Sequence, residues 1–259
     1  MSSTYKRMIH KAASLIKYAP NALIDQHDEP TTALLKVSKD VVDVSQLRDL
    51  DIHPEELSAQ NVRFKPDHAY FRVVTCGDGK FYGPNLKADY FHEDPMEVTI
   101  PEPHDPSVKI VNLGPGLHQR HNTFRKNGKV YRDHKYNVPP CGDIIWERYY
   151  DKMHRGEVLV ELPMSAWEQD LERYHRGEPL YWSQGSTVPF DICSFCGFHF
   201  NNAKPARCIH LKHHPLQIME GGQQVFAYNP TPSFYEMSEV GQTPAAKISY
   251  ALQKVASTQ

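Results

Sequence analysis

The residues best suited to chemistry crowd into one short stretch of the chain. Asp191-Ile-Cys-Ser-Phe-Cys-Gly is followed by Cys208-Ile-His210. In a Cys-x-x-Cys-Gly turn two thiolates can face one point while the glycine relieves the backbone, and a later Cys/His pair completes a tetrahedral set. The spacing nominates Cys193, Cys196, Cys208 and His210 as ligands of a zinc ion, with His213, His214 or His199 as substitutes for the fourth position. Four protein ligands leave no open coordination position, so the expected ion is structural. The bland reading is a set of reduced, buried cysteines without metal. Lys204, Arg207 and Lys212 would also suit a zinc-dependent nucleic-acid module, but a few cations on a short loop are more often a solvated face.

The rest of the composition frames that cluster. The chain has 259 residues, enough for one well-packed domain plus an arm or for two small domains. A formal charge of −2 argues against a dedicated nucleic-acid binder, which carries a basic excess. No stretch approaches the ~20 apolar residues of a membrane span. Lys17 interrupts the apolar N-terminal stretch, leaving no secretory core, so a cytoplasmic setting is expected. Five cysteines, an odd number and mostly clustered, fit metal binding better than disulfides. Twenty prolines point to a loop-rich fold of short elements.

Those elements fall into two regions. In residues 1–65, Met8, Ala12, Leu15 and Ile16 recur at helical spacing, which predicts an amphipathic helix, a docking arm or removable pro-segment, followed by a mixed extension. Residues 66–259 read as the main domain, with 191–215 as a zinc-knuckle insert. Strands are expected at Ala69–Thr75, near Lys80–Tyr82, and over 143–150, 156–162, 180–188, 225–228 and 234–240. Residues 93–120 read as an irregular excursion. Asn127-Gly128 suggests a tight hairpin turn between Thr123–Arg125 and Val130–Arg132. A helix is expected over 165–176, with Ser165 and Glu168 as its capping box, and a closing helix over 244–255. Many short strands with few helices predict an α+β fold, a small β-barrel-like domain with flanking helices.

Immediately before the insert stands Leu180-Tyr-Trp-Ser-Gln-Gly-Ser-Thr-Val-Pro-Phe-Asp-Ile-Cys. This resembles the nucleophile strand of large-phage prohead proteases, serine proteases of capsid maturation in which Ser-x-Gly runs straight into a Cys-x-x-Cys-Gly insert. Upstream, Lys129-Val-Tyr-Arg-Asp-His-Lys-Tyr-Asn resembles the strand that ends in that family's catalytic histidine. Downstream, Phe234-Tyr-Glu-Met-Ser-Glu-Val and Pro244-Ala-Ala resemble its closing signature. The likeness spans roughly residues 69–252. It implies an assemblin-like barrel, Ser183 as nucleophile and His134 as base. Glu236 would orient the histidine, with Asp133, Asp143 and Glu239 as rivals. The implied substrates are scaffold or core proteins and the major capsid protein, with self-association among the implied contacts. The implied location is the prohead, assembled in the cytoplasm of an infected bacterium.

The chemistry is coherent. A serine hydroxyl needs a base in hydrogen-bond reach, and a third group must orient the imidazole. Gly185 would leave room for substrate backbone, and the amides of Gln184 and Gly185 are candidates for an oxyanion hole. Ser186 is a rival nucleophile, three residues on and so on the opposite strand face. Trp182 and Phe190 read as packing. Gln184, Ser186 and Arg207 depart from the family pattern; no catalytic group is lost, and a catalytically inactive, zinc-stabilised structural virion protein is the alternative.

Overall fold

The structure, a computed structural model, describes residues 52–102, 105–201, 207–241, 244–246 and 251–257. The amphipathic segment expected near the N-terminus lies outside the described residues. In chain order the elements are α1 (Pro54–Ala59), β1 (His68–Gly77), α2 (Gly79–Tyr82), β2 (Asp89–Tyr90), β3 (Glu97–Glu102), β4 (Asp105–Asn112), α3 (Leu117–Arg120), α4 (Thr123–Asn127), β5 (Lys129–Arg132), β6 (Gly142–Tyr150), β7 (Arg155–Pro163), α5 (Met164–His175), β8 (Tyr181–Thr187), β9 (Asp191–Cys193), β10 (His199–Phe200), α6 (Ile209–His213), β11 (Ala227–Tyr228), β12 (Ser233–Val240) and β13 (Ala251–Ser257).

Seven strands form one sheet in the order β13-β1-β7-β6-β5-β12-β8. It curls into half a barrel, and with its helices makes a small α+β domain. Neighbours are antiparallel except β5 and β12, which run parallel. A second, four-stranded sheet in the order β10-β9-β11-β2 carries the cysteine insert, and β3 and β4 make a separate hairpin.

Strand alternation decides what each face buries. One face presents Phe71, Val73, Val158, Val160, Ile144 and Met237 to Phe124 of α4 and to Trp167 and Leu171 of α5. The other face presents Tyr70, Trp146 and Leu159 to Ile52 and Leu57, with Val62 and Phe64 packed beside them. Residues 52–64, grouped with the extension by sequence, thus cover one side of the sheet. The same face buries Glu157 completely, within reach of Arg72, Arg148 and Arg155. Burial alone would push its carboxyl up; the three guanidiniums outweigh that and hold it below its ordinary value.

Several local expectations gave way to tertiary contacts. Thr123–Asn127 is a helix rather than the first arm of a hairpin. Phe124 stacks on Phe234 with ring centroids 4.5 Å apart, and Thr123 Oγ1 accepts the Phe234 amide at 2.8 Å. Gly128 therefore ends a helix instead of turning a hairpin. Gly79–Tyr82 is helical, and the expected excursion at 93–120 contains the β3–β4 hairpin. The helix of 164–175 leaves β7 directly, with Pro163 at its N-cap and no side-chain cap, so the Ser165–Glu168 capping box is not formed. The expected closing helix is replaced at its C-terminal half by β13, which pairs with β1. An open sheet edge offers a row of backbone partners that outweighs modest helix propensity.

Replacing Glu157 with alanine would leave three buried guanidiniums facing one another. We expect a loss of about 3–5 kcal/mol in urea unfolding at pH 7. Because the folded carboxyl is held low, its contribution is fully present above the ordinary carboxylate value and is lost as pH falls from there through the lowered folded value. The wild-type advantage over Glu157→Ala should shrink accordingly on acidification.

Candidate functional site

The four nominated zinc ligands converge. One ligand atom from each of Cys193, Cys196, Cys208 and His210 lies within 4.8 Å of the others. Tetrahedral zinc with Zn–S bonds of about 2.3 Å places thiolates roughly 3.8 Å apart, so the spacing suits that ion. Cys193 ends β9, and the knuckle closes through Gly197 N donating to Cys193 O at 2.9 Å. Gly197 adopts a φ of 68°, which glycine takes without penalty. Cys208 opens α6 and His210 lies in its first turn. The buried Nδ1 of His210 has no hydrogen-bond partner, as a ligand nitrogen awaiting a cation would. Of the substitutes, His214 bonds Gln217 and His199 stacks on Phe190.

The knuckle also has packing of its own. Phe200, Leu211, Val225 and Ala227 surround Cys193, and Ser194 Oγ both accepts the Phe226 amide and donates to Gln224 O at 2.9 Å. A hydrogen bond to Cys196 and then burial push the Cys193 thiol up, while the same bond holds Cys196 below its ordinary value. Thiols so crowded compete for their protons, and a divalent cation relieves this by displacing them.

The second constellation forms where β5, β12 and β8 lie side by side. β5 ends in a tight turn closed by Lys135 N donating to Arg132 O at 2.9 Å. Its central residues, Asp133 and His134, have φ of 48° and 55°. Aspartate and histidine are among the non-glycine residues that tolerate this region best. Arg132 anchors the turn from below: it pairs with Asp170 of α5 and stacks over the Trp167 ring at 3.9 Å. The turn swings the His134 imidazole over β12, where Nδ1 meets Glu236 Oε1 at 2.6 Å. The imidazole is 27% exposed and the carboxylate 0%, so one end of this pair is sealed and the other meets solvent.

Two further donors hold the carboxylate. Tyr136 OH donates to Oε1 at 2.9 Å and Ser238 Oγ donates to Oε2 at 2.6 Å. Burial, Tyr235 and Glu236 together push the Tyr136 phenol well above its ordinary range, so it stays a proton donor. Both residues were missed as site members. A signal existed for Ser238: it stands two positions from Glu236 on β12, and on a strand i and i+2 share a face. The rival acids are engaged elsewhere. Asp133 pairs with Lys135, Asp143 with Lys129, and Glu239 with Arg132 and Arg173.

Ser183 and Gly185 are the cross-strand partners of Ser238 and Glu236. Directly opposed residues of an antiparallel pair project to one face, so Ser183 shares the face of the His134–Glu236 pair, with its Cβ about 5 Å from that of Ser238. Ser183 is 3% exposed. Trp182 projects the other way and stacks on Trp167. Ser186 is paired with Phe234, across the strand from Ser183's face. Gly185 serves a purpose different from the expected one. A Cβ there would collide with Glu236, whose side chain lies across the glycine; the free space is filled by the carboxylate, not kept for substrate.

A second hydroxyl–imidazole–carboxylate line was not foreseen. Thr75 Oγ1 lies 3.5 Å from His121 Nε2, and His121 Nδ1 lies 2.7 Å from Glu147 Oε2. Thr75 and His121 are 0% and 1% exposed, and Gly156 presses so closely that a methyl group would overlap both. With no space for a reacting group, this line is a packing network. Access separates it from the pair at His134.

No family model, curated protein or solved structure matches this chain.

Three outcomes test this geometry. Gly185→Ala should push the Glu236 side chain aside, costing about 1–3 kcal/mol in thermal unfolding and releasing His134 Nδ1, seen as loss of its low-field imidazole proton by NMR. Protein purified without chelator should carry one zinc per chain by atomic emission. Cys208→Ser should lose the metal and the near-ultraviolet signal of the insert's aromatic residues.

Proposed function

We propose that the chain is a serine endopeptidase of the prohead-maturation type, acting on scaffold or core proteins and on the major capsid protein during head assembly in the infected bacterium. Ser183 is the nucleophile, His134 the base and Glu236 the group that orients it. The observation that carries this reading is the 2.6 Å bond from His134 Nδ1 to a fully buried carboxylate, on the strand next to Ser183. That bond commits the Nδ1 proton to Glu236 and leaves Nε2 as the lone-pair nitrogen.

On this reading, substrate binding brings Ser183 Oγ into line with His134 Nε2, since hydrogen bonds of a catalytic set tighten when the complex forms. Oγ adds to the scissile carbonyl carbon as its proton moves to Nε2. The imidazolium, balanced by Glu236, then protonates the leaving amine as the carbon–nitrogen bond breaks. Water repeats the sequence on the acyl-enzyme and restores the hydroxyl. β8 ends the sheet, so its backbone amides directed away from β12 are the candidates to hold the oxyanion. The Cys193–Cys196–Cys208–His210 cluster holds a structural zinc ion that fastens the chain just beyond β8.

A second reading rests on the near-complete burial of Ser183. It makes the chain a catalytically inactive, zinc-stabilised structural virion protein on the same fold.

Co-expression with the cognate scaffold and capsid proteins separates the two. Wild type should clip them at discrete sites mapped by mass spectrometry, and Ser183→Ala and His134→Ala should each reduce cleavage by roughly 10⁴-fold or more. Identical, unprocessed proheads from wild type and Ser183→Ala would establish the structural reading instead.

A further inference from the structure

Ser238 is fully buried beneath the His134–Glu236 pair and touches both of its members. Its Oγ donates to Glu236 Oε2 at 2.6 Å and accepts the backbone amide of His134 at 3.2 Å. A hydroxyl has one proton and two lone pairs, so a single group here fixes the carboxylate's orientation and the backbone of the imidazole. We infer that Ser238 is a positioning residue that locks the geometry and proton distribution of the His134–Glu236 pair. This rests on the assignment of that pair as catalytic.

The two contacts cannot be exchanged for solvent, because the hydroxyl and the carboxylate are both sealed. With its proton committed to Glu236, Ser238 is unsuited to be the nucleophile, although it is the serine nearest the pair. Ser183 lies directly across on β8. The E-x-S spacing also gains a physical meaning: the acid at 236 and the hydroxyl at 238 lie on one strand face, where each can reach the other.

The inference has a consequence in pH. A donor to Glu236 stabilises the carboxylate most when the neighbouring imidazole is neutral and the negative charge is uncompensated. Removing it disfavours that state against the one with an extra proton on the pair. The midpoint of the imidazole titration therefore moves upward. The other groups facing the pair are Tyr136, which donates to Oε1, and Tyr235, whose hydroxyl bonds that of Tyr136. Burial and its neighbours hold the Tyr136 phenol protonated. β8 contributes only Ser183 and Gly185 opposite it.

The test uses full-length, zinc-loaded protein and two readouts. One is the NMR titration of the His134 imidazole, assigned by difference from His134→Gln. The other is the rate at which an alkyl fluorophosphonate labels Ser183 between pH 5 and 9. Ser238→Ala and Ser238→Cys, the latter keeping the volume with a weak donor, should raise both midpoints by about half to one pH unit and lower the labelling plateau about tenfold. Ser238→Thr, which keeps the hydroxyl, should retain the wild-type midpoints. Unmoved midpoints in the Ala and Cys variants, with only a fall in Tm, would overturn the inference and reduce Ser238 to packing. Absence of label on wild-type Ser183 would overturn the peptidase reading instead, while the imidazole titration still decides the case of Ser238.

Discussion

A carboxylate with no solvent contact governs the arrangement around it. Glu236 lies at 0% exposure on a strand whose next residue, Met237, belongs to the hydrophobic core. Taking such a charge out of water is costly unless partners surround it. Here three donors do so: an imidazole, a phenol and a hydroxyl. Each comes from a definite feature of the fold. The parallel pairing of β5 with β12 brings the His134 turn alongside, the i+2 repeat of β12 supplies Ser238, and the segment after the turn returns Tyr136. The carboxylate also needs somewhere to lie, which only a glycine on β8 provides. The anchoring of the turn to α5 through Arg132 extends this dependence to the opposite face of the sheet.

Much of this was legible in the residues, for reasons that differ by element. The strand at 156–162 announces itself through its Val-Leu-Val centre, 158–160, buried on both faces. The convergence of Cys193, Cys196, Cys208 and His210 is readable because metal geometry constrains spacing directly. His134 and Glu236 could be nominated only through the resemblance; nothing local distinguishes them from other histidines and acids. The failures have one physical source. Thr123–Asn127 and 251–257 have weak local preferences, and their conformations were set by Phe234 and by the edge of β1, partners distant in sequence. The purpose of Gly185 was missed for the same reason, since what occupies a glycine's missing side chain lies on another strand.

The two imidazole–carboxylate pairs show why hydrogen-bond geometry by itself assigns no activity. His121 and His134 make nearly equal bonds to their acids, 2.7 and 2.6 Å. One ring is walled in by Gly156 and Thr75; the other has an edge in solvent. The buried line joins α3 and its following residues to β1 and β6, and so contributes rigidity to the sheet that carries the exposed one.

The packing of residues 52–64 across the sheet bears on how this chain could be trimmed. Ile52 and Leu57 are 1% and 5% exposed, and they cover Tyr70, Trp146 and Leu159. Val62 and Phe64 complete that cover. A cut beyond Phe64 would strip it away and wet an aromatic and aliphatic surface at the heart of the sheet. The fold itself thereby limits how far the chain can be trimmed from this side while that cover stays in place.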